Sequence, residues 1–265
     1  IDGISAWWSV IHGYNHPKIN AAITNQLTKM AHCMLGGLVH EPALELAAQL
    51  VAKTPESLQH VFFSDSGSVA VEVAIKMAIQ THKNEGKTKR NRLVYLQGAY
   101  HGDTTGVMAV CDPEEGMHHI FSDILLDHRM LSIPERLWGV SVRPNEDEYA
   151  AIASFFEAHH HELAGFVFEP LVQGAIGFRF YSKYWLEAVA EQCKKYDILL
   201  IADEIATGCG RTGKMWACDH LNFEPDILCT AKGLTAGYFG HAATLANARV
   251  FDSFYSDDPE KAFMH

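Results

Sequence analysis

Ile198-Leu199-Leu200-Ile201-Ala202-Asp203-Glu204 sets five consecutive apolar residues directly before two carboxylates. A strand that is apolar on successive positions has both faces covered, as in a parallel sheet between layers of helix. Charge at the end of such a strand needs a partner, because an unpaired buried carboxylate is costly. The stretch therefore predicts an α/β fold with its chemistry at the carboxyl ends of the strands, where open parallel sheets bind ligands.

Working outward, the same signature recurs. Val61-Phe62-Phe63, Leu93-Val94-Tyr95-Leu96, Phe166-Val167-Phe168 and Ile227-Leu228-Cys229 read as further strands, with helical patterns over 69–82, 147–159 and 184–196 between them. Upstream, Ile19, Ala22, Ile23, Leu27 and Met30 recur at helical spacing within 17–32, and 42–52 is a second amphipathic stretch. The expected architecture is a mostly parallel sheet between helices, a three-layer α/β/α arrangement. Residues 84–91 (NEGKTKRN) read as a charged surface loop.

The chain has 265 residues, 48% hydrophobic, enough for a substantial core. Its formal net charge of −11 argues against a general nucleic-acid or acidic-membrane surface, so an anion has to be bound locally. Six scattered cysteines without a C-x-x-C pair point to free thiols in a reducing cytoplasm. No apolar run approaches the ~20 residues of a membrane span. The sixteen histidines include His118-His119 and His159-His160-His161-Glu162. Neither group has the spacing of a helical zinc site, the second closes a predicted helix where imidazoles suit the dipole, and no metal is expected. Opening at Ile1-Asp2-Gly3 and ending at Phe263-Met264-His265, the chain reads as a piece of a longer protein.

Four strand ends carry side chains suited to chemistry. Ser64-Asp65-Ser66-Gly67-Ser68 leads into a helix start, where backbone N–H groups and hydroxyls can cradle a phosphate or simply cap the helix. Tyr100, between Gly98 and Gly102, can stack on a flat ring or plug the loop. Asp203 can pair with a pyridinium or form a salt bridge with Arg211. Lys232, followed by Gly233, is either a surface lysine or a desolvated carbonyl nucleophile. If both end parallel strands, Asp203 and Lys232 face one crevice. Between them, Gly208-Cys209-Gly210-Arg211-Thr212-Gly213 has the letters of a dinucleotide fingerprint, and 208–214 those of a P-loop. The first lies three residues beyond the strand with no strand-borne acid downstream; the second has Met215 where the metal-binding hydroxyl belongs.

Together, Leu200-Ile201-Ala202-Asp203-Glu204-Ile205-Ala206-Thr207-Gly208-Cys209-Gly210-Arg211-Thr212-Gly213-Lys214, Pro225-Asp226-Ile227 and Lys232 closely resemble the signature of class III (subgroup II) aminotransferases. These are fold-type I enzymes that use pyridoxal 5′-phosphate (PLP), and the resemblance spans essentially the whole chain. It implies a phosphate held by Ser66, Gly67 and Ser68, and Tyr100 stacked on the pyridine ring. It also implies Asp203 against the ring nitrogen, and Lys232 carrying the cofactor as a Schiff base and shuttling the proton. Arg211 matches the family's arginine in G-R-T-G-K, a structural position.

Nearer the start, Asp2-Gly3-Ile4-Ser5-Ala6-Trp7-Trp8, His12-Gly13-Tyr14-Asn15-His16-Pro17 and Gly36-Gly37-Leu38-Val39-His40-Glu41-Pro42 resemble one branch of that family. Its members move an amino group from S-adenosylmethionine to 8-amino-7-oxononanoate, giving 7,8-diaminononanoate in biotin biosynthesis. That resemblance implies Trp7 and Tyr100 at the substrate site and a homodimer with shared active sites. It divides the chain into a segment 1–50, with the Trp pair and two helices, and a PLP-binding large domain 51–265, leaving a small C-terminal domain outside. Ala206 stands where many members carry Gln, Cys209 replaces the commoner Phe, and Ala236 a commoner Gly. The alternatives are another class III ω-aminotransferase with a diamine, ornithine-like or β-amino acid donor, a non-catalytic fragment, and a nucleotide-binding protein resting on the glycine runs alone.

Overall fold

The structure, a computed structural model, describes residues 1–114 and 116–264. Seven strands form one sheet: β1 (Leu58–Ser64), β2 (Arg92–Leu96), β3 (Arg129–Leu131), β4 (Leu163–Phe168), β7 (Leu199–Asp203), β8 (Ile227–Thr230) and β9 (Ala242–Asn247). Their order is β1-β9-β8-β7-β4-β2-β3, and β5 (Val172–Gln173) pairs with β6 (Arg179–Phe180) as a separate hairpin. Every pair in the large sheet is parallel except the two made by β9. The carboxyl ends of β1, β2, β4, β7 and β8 therefore share one edge.

All the strands expected from apolar runs are present. β9 escaped notice because its sequence, Ala242-Ala243-Thr244-Leu245-Ala246-Asn247, is built from small residues with a weak strand preference. Five of its six residues are nonetheless buried, since β9 lies between β1 and β8. β3 is three residues long and paired on one side only.

Helices Gly67–Asn84, Glu146–His159 and Lys183–Lys195 confirm the expected alternation. Each starts on a side-chain cap: Ser66, Asn145 and Ser182 accept from the backbone N–H three residues on. Glu148 returns a bond to the Asn145 N–H and completes a capping box. Helix Gly67–Asn84 lies close on the sheet because its buried face carries Ala70, Ala74 and Ala78 among Val71, Val73 and Ile75. The core runs on through Phe156, Phe166, Phe168, Tyr181 and Trp185, all under 2% exposed, so truncation of any one would cost ~3–5 kcal/mol.

The loop 84–91 is more firmly held than its charge implies. Lys87 bridges Glu85 (2.7 Å) and Asp197 (2.6 Å), and Arg90 donates to the carbonyls of Asp197, Tyr196 and Leu163. These cations tie the entrance of β7 to the rim of the helix layer.

Helices Pro17–Lys29 and Glu41–Val51 also form as expected, each with Pro in its first turn. Within residues 1–50, however, only Leu50 is buried. No helix among the described residues is long and apolar enough to cross a membrane.

Candidate active site

A cavity of about 770 Å³ opens at the shared strand edge. Every residue singled out from the sequence lines it: Trp7, Ser66, Gly67, Ser68, Tyr100, Asp203 and Lys232. Register explains the convergence. Asp203 pairs with Cys229 across β7 and β8, and Phe168 with Ala202 across β4 and β7, so Glu169 and Asp203 leave the sheet side by side and Lys232 follows three residues after Cys229.

Asp203 is 4% exposed, and both its oxygens are engaged. Oδ1 accepts from the Ile205 N–H (3.0 Å) and Oδ2 from His101 Nδ1 (2.7 Å). A carboxylate only accepts, so Nδ1 carries the proton of that bond. Arg211, considered as the partner from sequence, instead donates to the backbone carbonyls of Ala206 and Trp8, both at 2.6 Å. It fastens the N-terminal segment to the loop after β7, the structural role its motif implies. Neighbouring Glu204 points elsewhere, accepting from the Thr207 hydroxyl and the Cys218 N–H (2.7 Å).

Lys232 sits at φ 45°, in the left-handed region that non-glycine residues avoid, and such strain gathers at functional sites. Burial pushes its ammonium below the ordinary lysine range, against the opposing pull of Asp203 and Glu169. Its Nζ lies 5.7 Å from the Trp8 ring centroid. The proportion of free amine is raised where a carbonyl nucleophile is needed.

At the other end of the cavity Ser66 Oγ caps Val69 N–H at 3.2 Å, which leaves the N–H groups of the helix's first two residues, Gly67 and Ser68, without intrahelical partners. A β-carbon on Gly67 would stand 2.9 Å from Ile205 Cδ1, so a larger residue at this turn would have to push the Ile205 side chain aside. Ser68 Oγ accepts from Asp103 N–H (3.0 Å). Tyr100 directs its hydroxyl at both oxygens of Asp103 (3.0 Å each). Burial and the adjacent carboxylate raise its pKa, so the phenol keeps its proton.

A half-buried helix-start anion site, an aromatic ring, a buried acid and a softened lysine lining one cavity can hold one flat, anionic, carbonyl-bearing molecule. The sequence matches the Aminotransferase class-III family over residues 1–264. This chain belongs to the class-III aminotransferases.

Among its relatives, adenosylmethionine-8-amino-7-oxononanoate aminotransferase of Mycobacterium leprae is 47% identical over 94% of this chain and 56% of that protein. The Saccharomyces cerevisiae protein of the same name is 41% identical over 100% of this chain and 61% of its own length. The crystal structure of adenosylmethionine-8-amino-7-oxononanoate aminotransferase from Methanocaldococcus jannaschii superposes with a TM-score of 0.90 at 36% identity, covering 100% of this chain and 59% of that one. A PLP-bound amine transaminase from an uncultivated Pseudomonas species gives 0.86 at 32% identity, over 100% and 61%. The chain spans 56–61% of these proteins' lengths.

This aminotransferase family uses PLP, and the residues present fit it. The polar groups lining the cavity suit it: amides and hydroxyls for a phosphate, the buried Asp203 carboxylate for a cationic ring nitrogen, and an amine for an aldehyde. Several lining residues were not anticipated. His101 (2% exposed) was hidden beside Tyr100, and its Nε2 is buried without a hydrogen-bond partner among the described residues. Glu169 accepts from the N–H groups of Tyr100 (3.4 Å) and Gly174 (3.0 Å), and burial raises it to about 7. Its signal was available, since Glu169 directly follows the apolar run Phe166-Val167-Phe168, as Asp203 follows its own.

Trp8 was also missed, although the double Trp was noticed. Trp7 is 72% exposed, whereas the half-buried Trp8 packs at a tilt against Phe178 (4.9 Å between centroids) and lies under the Arg211 guanidinium (5.6 Å). Gly174 passes so near that a β-carbon there would collide with the Trp8 ring. The histidine runs also separate. His159 contacts Glu162 (3.3 Å) and His160 the carbonyls of Phe156 and Glu157. A grouping with metal-ligand spacing lies elsewhere, at His82, Glu85 and Asp197, but Lys87 and Arg249 occupy both of its carboxylates.

Proposed function

We propose that the intact protein is a cytoplasmic transaminase that moves an amino group from S-adenosylmethionine to 8-amino-7-oxononanoate, giving 7,8-diaminononanoate in biotin biosynthesis. The observation that carries this reading is the convergence of Lys232, Asp203 and the helix start at Gly67 on one cavity roofed by the Trp7-Trp8 pair. The relatives named above, at 41–47% identity, carry that activity in their names.

PLP, when bound, supplies an electron sink for the pair released at the substrate carbon. Ser66, Gly67 and Ser68 would hold its phosphate, Tyr100 would face its ring, and Asp203 would pair with its ring nitrogen. His101 Nδ1–H, at 2.7 Å, fixes the orientation of the Asp203 carboxylate. Lys232 Nζ would hold the cofactor at its aldehyde carbon, and as a free amine would move a proton as base and then acid. Half-buried Trp8, packed against Phe178 and Arg211, supplies the apolar surface on this wall. Two half-reactions through one site give ping-pong kinetics.

Residues 1–50 act in this reading as a substrate-site segment laid on a large domain from 51 onward. Exposed Leu27, Met30, Leu35 and Leu38 on that segment fit burial by a second subunit in a homodimer with shared sites. The test is to incubate the intact protein with PLP, 8-amino-7-oxononanoate and a panel of amino donors, and to identify products by mass. 7,8-Diaminononanoate formed with S-adenosylmethionine is the expected result. Turnover only with diamine, ornithine-like or β-amino donors would replace these substrates while keeping the family.

A further inference from the structure

The histidine pair at 118–119 divides sharply in the structure: His119 is exposed, while His118 is 7% exposed and packed beside the cavity. Its ring is stacked on Tyr100, with centroids 5.9 Å apart and planes 27° apart. Its Nε2 lies 3.0 Å from Asp103 Oδ1, and because a carboxylate only accepts, Nε2 carries the proton. Nδ1 is buried and has no partner among the described residues, where the ring's one polar attachment is Asp103.

Asp103 joins the parts. Its side chain is 66% exposed, and an exposed carboxylate left to itself samples several rotamers. Here it accepts from both the Tyr100 hydroxyl and His118, while its own N–H donates to Ser68 Oγ at the candidate phosphate cradle. Tyr100 thus meets His118 twice, by ring contact and through the shared carboxylate. We propose that His118 is a positioning residue of this site, which fixes the plane and reach of Tyr100 over the cofactor ring by holding Asp103 and stacking on the tyrosine. The inference rests on the PLP reading above.

The test uses the intact protein and two readouts: the visible circular dichroism that bound PLP acquires from its fixed surroundings, and the kcat against KM split. His118→Phe keeps an aromatic ring against Tyr100 and removes the N–H. It is expected to weaken the dichroic band and lower kcat about tenfold, the scale of a small misplacement, with an unchanged unfolding midpoint. His118→Gln, which keeps a donor, is expected to restore part of both. Asp103→Asn at this exposed position should give the same loss, and the double variant little more, because the two act through one contact.

A wild-type band and kcat in His118→Phe would overturn the proposal, as would losses in His118→Phe and Asp103→Asn that add in full. Should His118→Phe fail to fold, Asp103→Asn alone decides, and an unaltered band and kcat there overturns the proposal. Absence of any PLP band in the unmutated protein would instead refute the PLP reading itself.

Discussion

The floor of the site and the segment above it are held by different physics. Asp203, His101, Glu169 and Lys232 leave the ends of buried strands, and their positions follow from sheet register and a continuous apolar core. Residues 1–50 bury only Leu50 and reach the site through Trp8, whose ring meets Phe178 and whose carbonyl accepts from Arg211. Ser5, Ala6, Trp7 and Trp8 all lie at positive φ, between 45° and 73°, a conformation costing roughly 1–2 kcal/mol per residue. The floor is set by folding itself; the roof depends on a few contacts and on whatever covers its exposed face.

The largest effect is expected at the floor. Asp203→Asn preserves shape and the Ile205 contact but removes the charge that pairs with a cationic ring nitrogen. Transamination should fall about 10²–10³-fold, as when a preorganised electrostatic partner is lost, while PLP still binds. Near-normal turnover in stopped assays would break the assignment of Asp203.

At the roof, Trp8→Ala removes the ring lying between Phe178, Arg211 and Lys232. KM for the amino donor should rise about tenfold with a smaller change in kcat, and the unfolding midpoint should hardly move. A collapse of kcat with KM unchanged would mean that the roof shapes the reacting atoms and would erase the distinction.

The smallest effect concerns stability and pH. Burial lowers His82 and His128 to about 4 and raises Glu169 to about 7. Between about pH 4.5 and 6.5 the unfolded chain binds protons on both imidazoles, whereas the folded chain holds one, on Glu169. The unfolded state carries the excess, so these three groups make stability rise with pH by about 1.4 kcal/mol per unit. In denaturant titrations without PLP, His128→Gln should flatten that slope and Glu169→Gln should roughly double it. Unaltered slopes would show that these groups titrate normally in the fold.

The same contrast explains what the sequence disclosed. Apolar runs ending in Asp203 or leading to Lys232 are local patterns, so five strands and the chemistry at their ends were legible. β9 was not, because its alanines are chosen by neighbours on both sides rather than by strand preference. His101 matters through a contact across 102 positions of chain, which no local pattern encodes, whereas Glu169 ends an apolar run as Asp203 does and could have been read. Trp7 was named on the resemblance alone; both tryptophans line the cavity, and it is the left-handed turn at 5–8, invisible in a pair of identical residues, that leaves Trp8 the less exposed.

The central claim is that Lys232 is the residue that holds PLP. Borohydride reduction of the PLP-loaded intact protein, followed by peptide mapping, tests it directly. The account predicts a single phosphopyridoxyl adduct on the peptide containing Lys232, absent from Lys232→Ala. An adduct on another lysine, or one that survives Lys232→Ala, would contradict it.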